Sequence, residues 1–219
     1  ATRTELLHLG LRPERVTSVE NGVDPKWSPG GDRHPRPLVL GVGRLAPVKR
    51  FGLLLDAAAE ARRSVPELEL VIVGEGPDRA ELEAWIARHD AGGWVSLPGR
   101  LPDDGLRDLY RRAWVLSNAS LAEGWGLTIS EAGACGTPAV VSDINGHRCS
   151  VIPGETGLLC EPEQLGATLA AVLREPDRLE RMGRAALARA ATLTWDASAL
   201  GILRVLERDM SRRRPAGTR

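Results

Sequence analysis

The chain lacks net charge: 29 lysines and arginines balance 29 aspartates and glutamates over its 219 residues. No overall field therefore draws it to nucleic acid or to an anionic membrane. No stretch approaches the roughly eighteen consecutive apolar residues of a membrane-spanning helix. Neither internal repeats nor low-complexity segments interrupt the sequence. Cysteine is scarce. Cys135, Cys149 and Cys160 are odd in number and too widely spaced for a metal-binding knot. They read as reduced thiols with packing roles in a cytoplasmic protein. No cluster of metal-ligating side chains is visible, so no metal is expected and any charge chemistry falls to cationic side chains and backbone N–H groups. What is present, 42% apolar and 26% charged residues, suits a globular protein of one domain with appendages or two small ones.

Apolar runs and helical spacing alternate along most of the length. Strands are expected over 16–19, 38–42, 68–73, 94–97, 114–117 and 139–141. Helices are expected over 50–63, 77–88, 103–112 and 126–135, with a Pro/Gly-rich surface link over 25–37. Leu54, Ala57, Ala58 and Ala61 share one helix face. Pro77 at one helix start and Pro102 just before another obey the proline rule. Strands separated by single helices must pair in parallel through right-handed crossovers, which gives a doubly wound, mostly parallel Rossmann-like α/β sheet. Beyond 157–159 the pattern turns helical, over 162–173, 176–191 and about 195–211.

The densest chemistry lies in the run Glu123-Gly124-Trp125-Gly126-Leu127-Thr128-Ile129-Ser130-Glu131, which follows the strand 114–117. Strand, glycine turn and helix together present backbone N–H groups to a phosphate. With the helix opening near Gly126, Glu123 stays at its mouth. Glu131 lies roughly 8 Å further in, at about 1.5 Å per residue. One acid beside an anion and a second a sugar's length away is a geometry that fits a sugar nucleotide.

The Glu-(seven residues)-Glu spacing, closed by Glu131-Ala132-Gly133-Ala134-Cys135-Gly136-Thr137-Pro138, resembles the signature of the retaining glycosyltransferases of family 4. Five further motifs stand in that family's order. They are Glu20-Asn21-Gly22-Val23-Asp24, Gly41-Val42-Gly43-Arg44-Leu45 with Lys49, Val73-Gly74-Glu75-Gly76, Leu97-Pro98-Gly99-Arg100-Leu101 and Gly154-Glu155-Thr156-Gly157-Leu158-Leu159. Together they span about 16 to 160, and six motifs in register are far more specific than one.

The resemblance implies a GT-B fold of two Rossmann-like halves, of which this chain is similar to the C-terminal, donor-binding one. The N-terminal acceptor domain would be absent, residues 1–193 would form the sugar-nucleotide-binding domain, and 194–219 the crossover helix and tail. It implies a nucleotide-diphospho-sugar as donor substrate, with no separate cofactor. Arg44 and Lys49 would hold the diphosphate, Arg44 as a fork and Lys49 as a point charge. Gly43, Gly124, Gly126, Leu127 and Thr128 would let it approach backbone N–H groups closely. Glu123 would face the donor sugar, and Glu131 would accept from the ribose hydroxyls. Glu75, Arg100 and Leu101 would bracket the base, although the residues alone leave Glu75 equally open as a loop acid. Membrane contact enters only as a peripheral feature of a full-length enzyme.

One departure from the family stands out. Where a Gly-Gly pair and then a glutamate are usual, this chain has Ile144-Asn145-Gly146-His147-Arg148-Cys149. His147 and Arg148 there are either groups tuned to an unusual donor or acceptor, or, more simply, solvated turn residues. A different enzyme class also competes. Gly41-Val42-Gly43-Arg44-Leu45-Ala46 matches the dinucleotide fingerprint of an NAD-dependent oxidoreductase. Against it, Pro47 and Val48 stand where the fingerprint helix should already run. A third reading is a nucleotide-binding module with no activity of its own.

Overall fold

The computed structural model describes residues 2–213; the end of the tail, 214–219, lies outside the described residues. Six strands, β1 Leu38–Val42, β2 Glu69–Val73, β3 Val95–Gly99, β4 Val115–Asn118, β5 Ala139–Ser142 and β6 Gly157–Cys160, make one sheet. Their order is β3-β2-β1-β4-β5-β6, and every pairing is parallel. The helices are α1 Thr2–His8, α2 Phe51–Arg62, α3 Arg79–Arg88, α4 Asp103–Arg112, α5 Leu127–Ala134, α6 Asn145–Ser150, α7 Leu165–Val172, α8 Pro176–Ala190 and α9 Trp195–Arg213.

Helices cover both faces of the sheet. Every residue of β1, β4 and β5 is therefore buried; β1 is apolar throughout, and β4 and β5 begin apolar and end on the buried polar residues Ser117, Asn118 and Ser142. The period of two still decides which core each side chain enters. Val39, Val115 and Val140 join Leu54, Leu55, Leu165 and Leu169 on one face. Leu40, Leu116 and Val141 join Tyr110 and Ile129 on the other. Gly41 has no side chain because α2 lies too near: a Cβ there would come within 2.9 Å of Leu54.

Three sequence expectations need correction. The segment 16–19 is extended but pairs with no strand. It runs instead along α9, with Gly201 packed under Val19 and the Val23 N–H donating to the Leu193 carbonyl at 2.8 Å. No strand is expected over 157–160, where β6 forms the edge of the sheet and the helical pattern begins only beyond it. α6 was not anticipated, having six residues with a glycine among them. The remaining elements for which bounds are expected stand within two residues of them, except the start of α7. There Pro162–Gln164 forms a separate 3₁₀ turn ahead of the helix.

The sheet order reverses direction between β1 and β4. In open α/β sheets the crevice beyond the strand ends at such a switch point is where ligands bind. Two loops flank it here, 43–50 after β1 and 119–126 after β4. The Leu121 N–H donates to the Val48 carbonyl at 2.8 Å and clips one loop to the other. The loop after β2 presses equally close to the first. Gly74 (φ 148°) sits where a Cβ would fall 1.8 Å from the Gly43 carbonyl oxygen, so only glycine fits.

Candidate functional site

On the β1 side, residues 47–49 wind into a 3₁₀ turn, and Arg50 takes a left-handed conformation (φ 49°, ψ 46°) before α2 begins. That delay carries Lys49 over the crevice. On the β4 side, Gly126 (φ 88°) turns the chain sharply into α5. No backbone carbonyl among the described residues accepts from the N–H groups of residues 122–128. A row of free N–H groups at a helix mouth is an anion site by construction, because donors and helix dipole point the same way.

Lys49 and Glu123 meet across the crevice as an ion pair, with side chains only 19% and 14% exposed. The same carboxylate oxygen of Glu123 accepts from the Ser120 hydroxyl at 2.8 Å. Beside this pair opens a cavity of about 570 Å³ lined by Val19, Asn21, Lys49 and the run 123–128. The structure therefore brings together Lys49, Glu123, Gly124, Gly126, Leu127 and Thr128. Thr128 is steadied from below, its Oγ1 accepting from the Asn118 amide at 3.1 Å.

Gly43 lies beside the Lys49 side chain, a Cβ there falling 3.4 Å from Lys49 Cε, while the other anticipated residues stand apart from that cluster. Gly43 and Arg44 follow β1; Arg44 is exposed. Glu75, after β2, accepts from the Arg79 guanidinium at 3.1 Å while Arg79 also donates to the Leu97 carbonyl. Arg100 is exposed after β3, and Leu101 packs against the α4–α5 core. Glu131 faces α4, where its Oε2 accepts from the Tyr110 hydroxyl at 2.9 Å. Burial raises the Glu131 carboxyl above its ordinary 4.5, while the Tyr110 hydrogen bond pulls it down. Burial also lifts the Tyr110 phenol well above 10, with the neighbouring carboxylate adding to the effect.

Several supporting residues were missed from sequence. Tyr110 is the chain's only tyrosine and wholly buried, and a buried phenol needs a partner for its hydroxyl. That need was the available signal for its link to Glu131. Ser120 and Ser150 carried none, since short hydroxyls are common in loops. His147, whose simpler reading was a solvated turn residue, is completely buried. Arg148 is exposed and forms a two-pronged pair with Asp143 at 2.5 and 2.8 Å. Among the described residues, no group of three or more His, Cys, Asp or Glu side chains is placed to hold a metal ion. No helix there is long and apolar enough to cross a membrane.

A doubly wound sheet with a phosphate-type helix mouth at its switch point defines a class, the Rossmann-like nucleotide-binding domains. Residues 27–189 match the family described as "Glycosyl transferases group 1", and the chain belongs to it. It is 33% identical over 223 residues to a D-inositol 3-phosphate glycosyltransferase of Segniliparus rotundus, a match covering 92% of this chain and 50% of the relative. The chain thus spans about half the length of the curated relatives it matches. Two solved structures share its architecture. The pneumococcal O-GlcNAc transferase GtfA in complex with UDP and GlcNAc superposes with a TM-score of 0.70 at 27% identity, covering 87% of this chain and 38% of that one. Anabaena HepE in complex with UDP and glucose gives 0.78 at 22% identity, covering 96% and 61%.

Proposed function

We propose that this chain is the donor-binding half of a retaining, family 4 type glycosyltransferase that takes its sugar from a nucleoside diphosphate. The observation that carries this reading is the convergence of Lys49, Glu123 and the free N–H row of 122–128 on one cavity at the switch point. Breaking the sugar–phosphate bond leaves negative charge on the departing diphosphate. Donors fixed in advance stabilise that charge without reorganising. Lys49 and the α5 N-terminus lie where they can do so, and exposed Arg44 is free to swing onto the same oxygens. Glu123 then turns from Lys49 to the sugar hydroxyls, while Glu131, set deeper along α5, takes the ribose. Glu75, Arg100 and Leu101 at the ends of β2 and β3 flank the base.

The printed ligands of GtfA make a uridine donor the first to try, and the names of the curated relatives make a phosphorylated polyol one acceptor to include. Because Arg44, Lys49 and the helix mouth supply the positive charge, donor binding proceeds without a metal; affinity should be the same with and without EDTA. The acceptor is held by an N-terminal half, so the 219-residue chain binds donor but transfers nothing until that half is added. In the full-length enzyme the reaction is cytoplasmic, with any membrane contact peripheral. An NAD-binding reading is disfavoured by the late start of α2 at Phe51, which leaves no helix mouth at Gly43 for a pyrophosphate. Calorimetric titration with UDP, GDP, ADP and NAD decides. Saturable binding of one nucleoside diphosphate supports the proposal and names the base, whereas binding of NAD alone sinks it.

A further inference from the structure

The short helix α6 is built as a shelf under the 123–126 loop. Gly146 lies so near the loop that a Cβ there would fall 2.2 Å from the Glu123 carbonyl oxygen. Ser150 donates its hydroxyl to the Trp125 carbonyl. Between them stands His147, with no exposed surface. Its Nδ1 lies 2.7 Å from the Ser142 carbonyl oxygen, which can only accept, so Nδ1 carries the proton. Nε2 is then a lone-pair acceptor, and it is buried without a partner. Cδ2, bonded to Nε2, lies 3.5 Å from the place a Gly126 Cβ would occupy, so that edge of the ring faces the loop. An acceptor without a donor thus lies on the ring edge nearest a loop whose N–H groups have no backbone acceptor.

We propose that His147 is a positioning residue for donor binding, whose Nε2 accepts a backbone N–H of the 123–126 loop in the donor-bound state. Taking one N–H from below fixes the loop so that the others face the diphosphate. A half-satisfied imidazole in a dry site is poorer for stability than an apolar side chain of similar size, so a supporting role accounts for its presence where packing does not. The ring must be neutral to accept. Burial lowers its pKa from the ordinary 6.5, and of the charges facing it Glu123 and Asp143 oppose that shift while Lys49 reinforces it. This inference rests on the donor-half reading above.

The test is calorimetry on the 219-residue chain with UDP-glucose, UDP-N-acetylglucosamine, GDP-mannose and ADP-glucose. Diesters of this kind do not change charge between pH 5 and 8, so a pH effect belongs to the protein. For the sugar nucleotide that the wild type binds at pH 7.5, His147→Leu should weaken affinity at least tenfold while the melting temperature holds or rises. His147→Gln, which keeps an acceptor near the Nε2 position, should recover most of the affinity. Wild-type binding should decline as pH falls from 7 to 5, and this variant should flatten that decline. Long-range ¹H–¹⁵N spectra, with His147 assigned by its loss in the variants, should show an Nδ1–H tautomer at pH 7.5. A leucine variant that binds like the wild type, affinity losses that merely track lost melting temperature, or an Nε2–H tautomer would each overturn the inference while the donor reading stands. A wild type that binds none of the four sinks both.

Discussion

At Glu131 a carboxylate is kept on a mostly buried stretch of α5, with one oxygen on the Tyr110 hydroxyl. Its raised pKa fixes the sign of its effect on stability. A carboxyl whose folded value exceeds 4.5 favours the folded state below that value and loses the advantage as pH climbs through it toward the folded pKa. At neutral pH the ionised form is a liability. Glu131→Gln, which still accepts from Tyr110, should therefore raise the melting temperature at pH 7 and bring it closer to wild type at pH 4. The same change should weaken nucleotide binding by about 1–3 kcal/mol, the usual loss of a charge-assisted hydrogen bond to ribose. Unchanged affinity for UDP in calorimetry would remove Glu131 from the site. His147 has the opposite sign: its stabilising neutrality is full above 6.5 and is lost as pH falls through that value toward the lower folded pKa. Lys49→Ala should weaken nucleoside diphosphates far more than the bare nucleoside. Equal losses across UDP and uridine would contradict a phosphate role.

At the scale of elements, the loop after β1 holds one residue in a conformation that glycine would favour. Arg50 occupies the left-handed region, with its Nε and one Nη buried and unpartnered. Left-handed geometry costs a non-glycine residue about 1–2 kcal/mol. Arg50→Gly should stabilise the chain by about 1 kcal/mol in urea unfolding, and a loss of stability would show that the guanidinium has a supporting role. Gly74→Ala should do the reverse, destabilising by more than about 1 kcal/mol, since its methyl would lie on the Gly43 carbonyl. The strands that were legible from sequence, β1 to β5, lie between helical patterns, which mark them even where, as in β4 and β5, they are only four residues long. The glycine turn into α5 was legible too, because the spacing of Glu123 and Glu131 marks it. What escaped was short or borrowed its structure from elsewhere. β6 has four residues and α6 six, and the 16–19 segment is extended only because α9 gives it a surface. Tyr110 and His147 are set by tertiary packing, which no local pattern records.

Across the whole molecule, both sheet faces are covered but α9 is not. Leu200, Leu203, Leu206 and Met210 are each about half exposed or more on that helix, at 52%, 49%, 55% and 69%. Apolar side chains at this spacing form a stripe that an isolated domain has little reason to keep. On the proposed reading the N-terminal half covers them. Leu203→Ser with Leu206→Ser should leave the melting temperature of this chain nearly unchanged and weaken its association with an added N-terminal half. Equal association of variant and wild type in sedimentation would argue against that use of α9.

The closed pair of Lys49 and Glu123 has a further consequence for the whole crevice. With the cation already answered by a carboxylate, Lys49 itself carries little free charge to attract stray anions. A diphosphate entering the crevice trades places with Glu123 instead of adding to an exposed positive centre. Binding is then an exchange of one anion for another. Its affinity should depend only shallowly on ionic strength, and inorganic phosphate should compete poorly, because it brings no sugar hydroxyls to re-engage the displaced carboxylate.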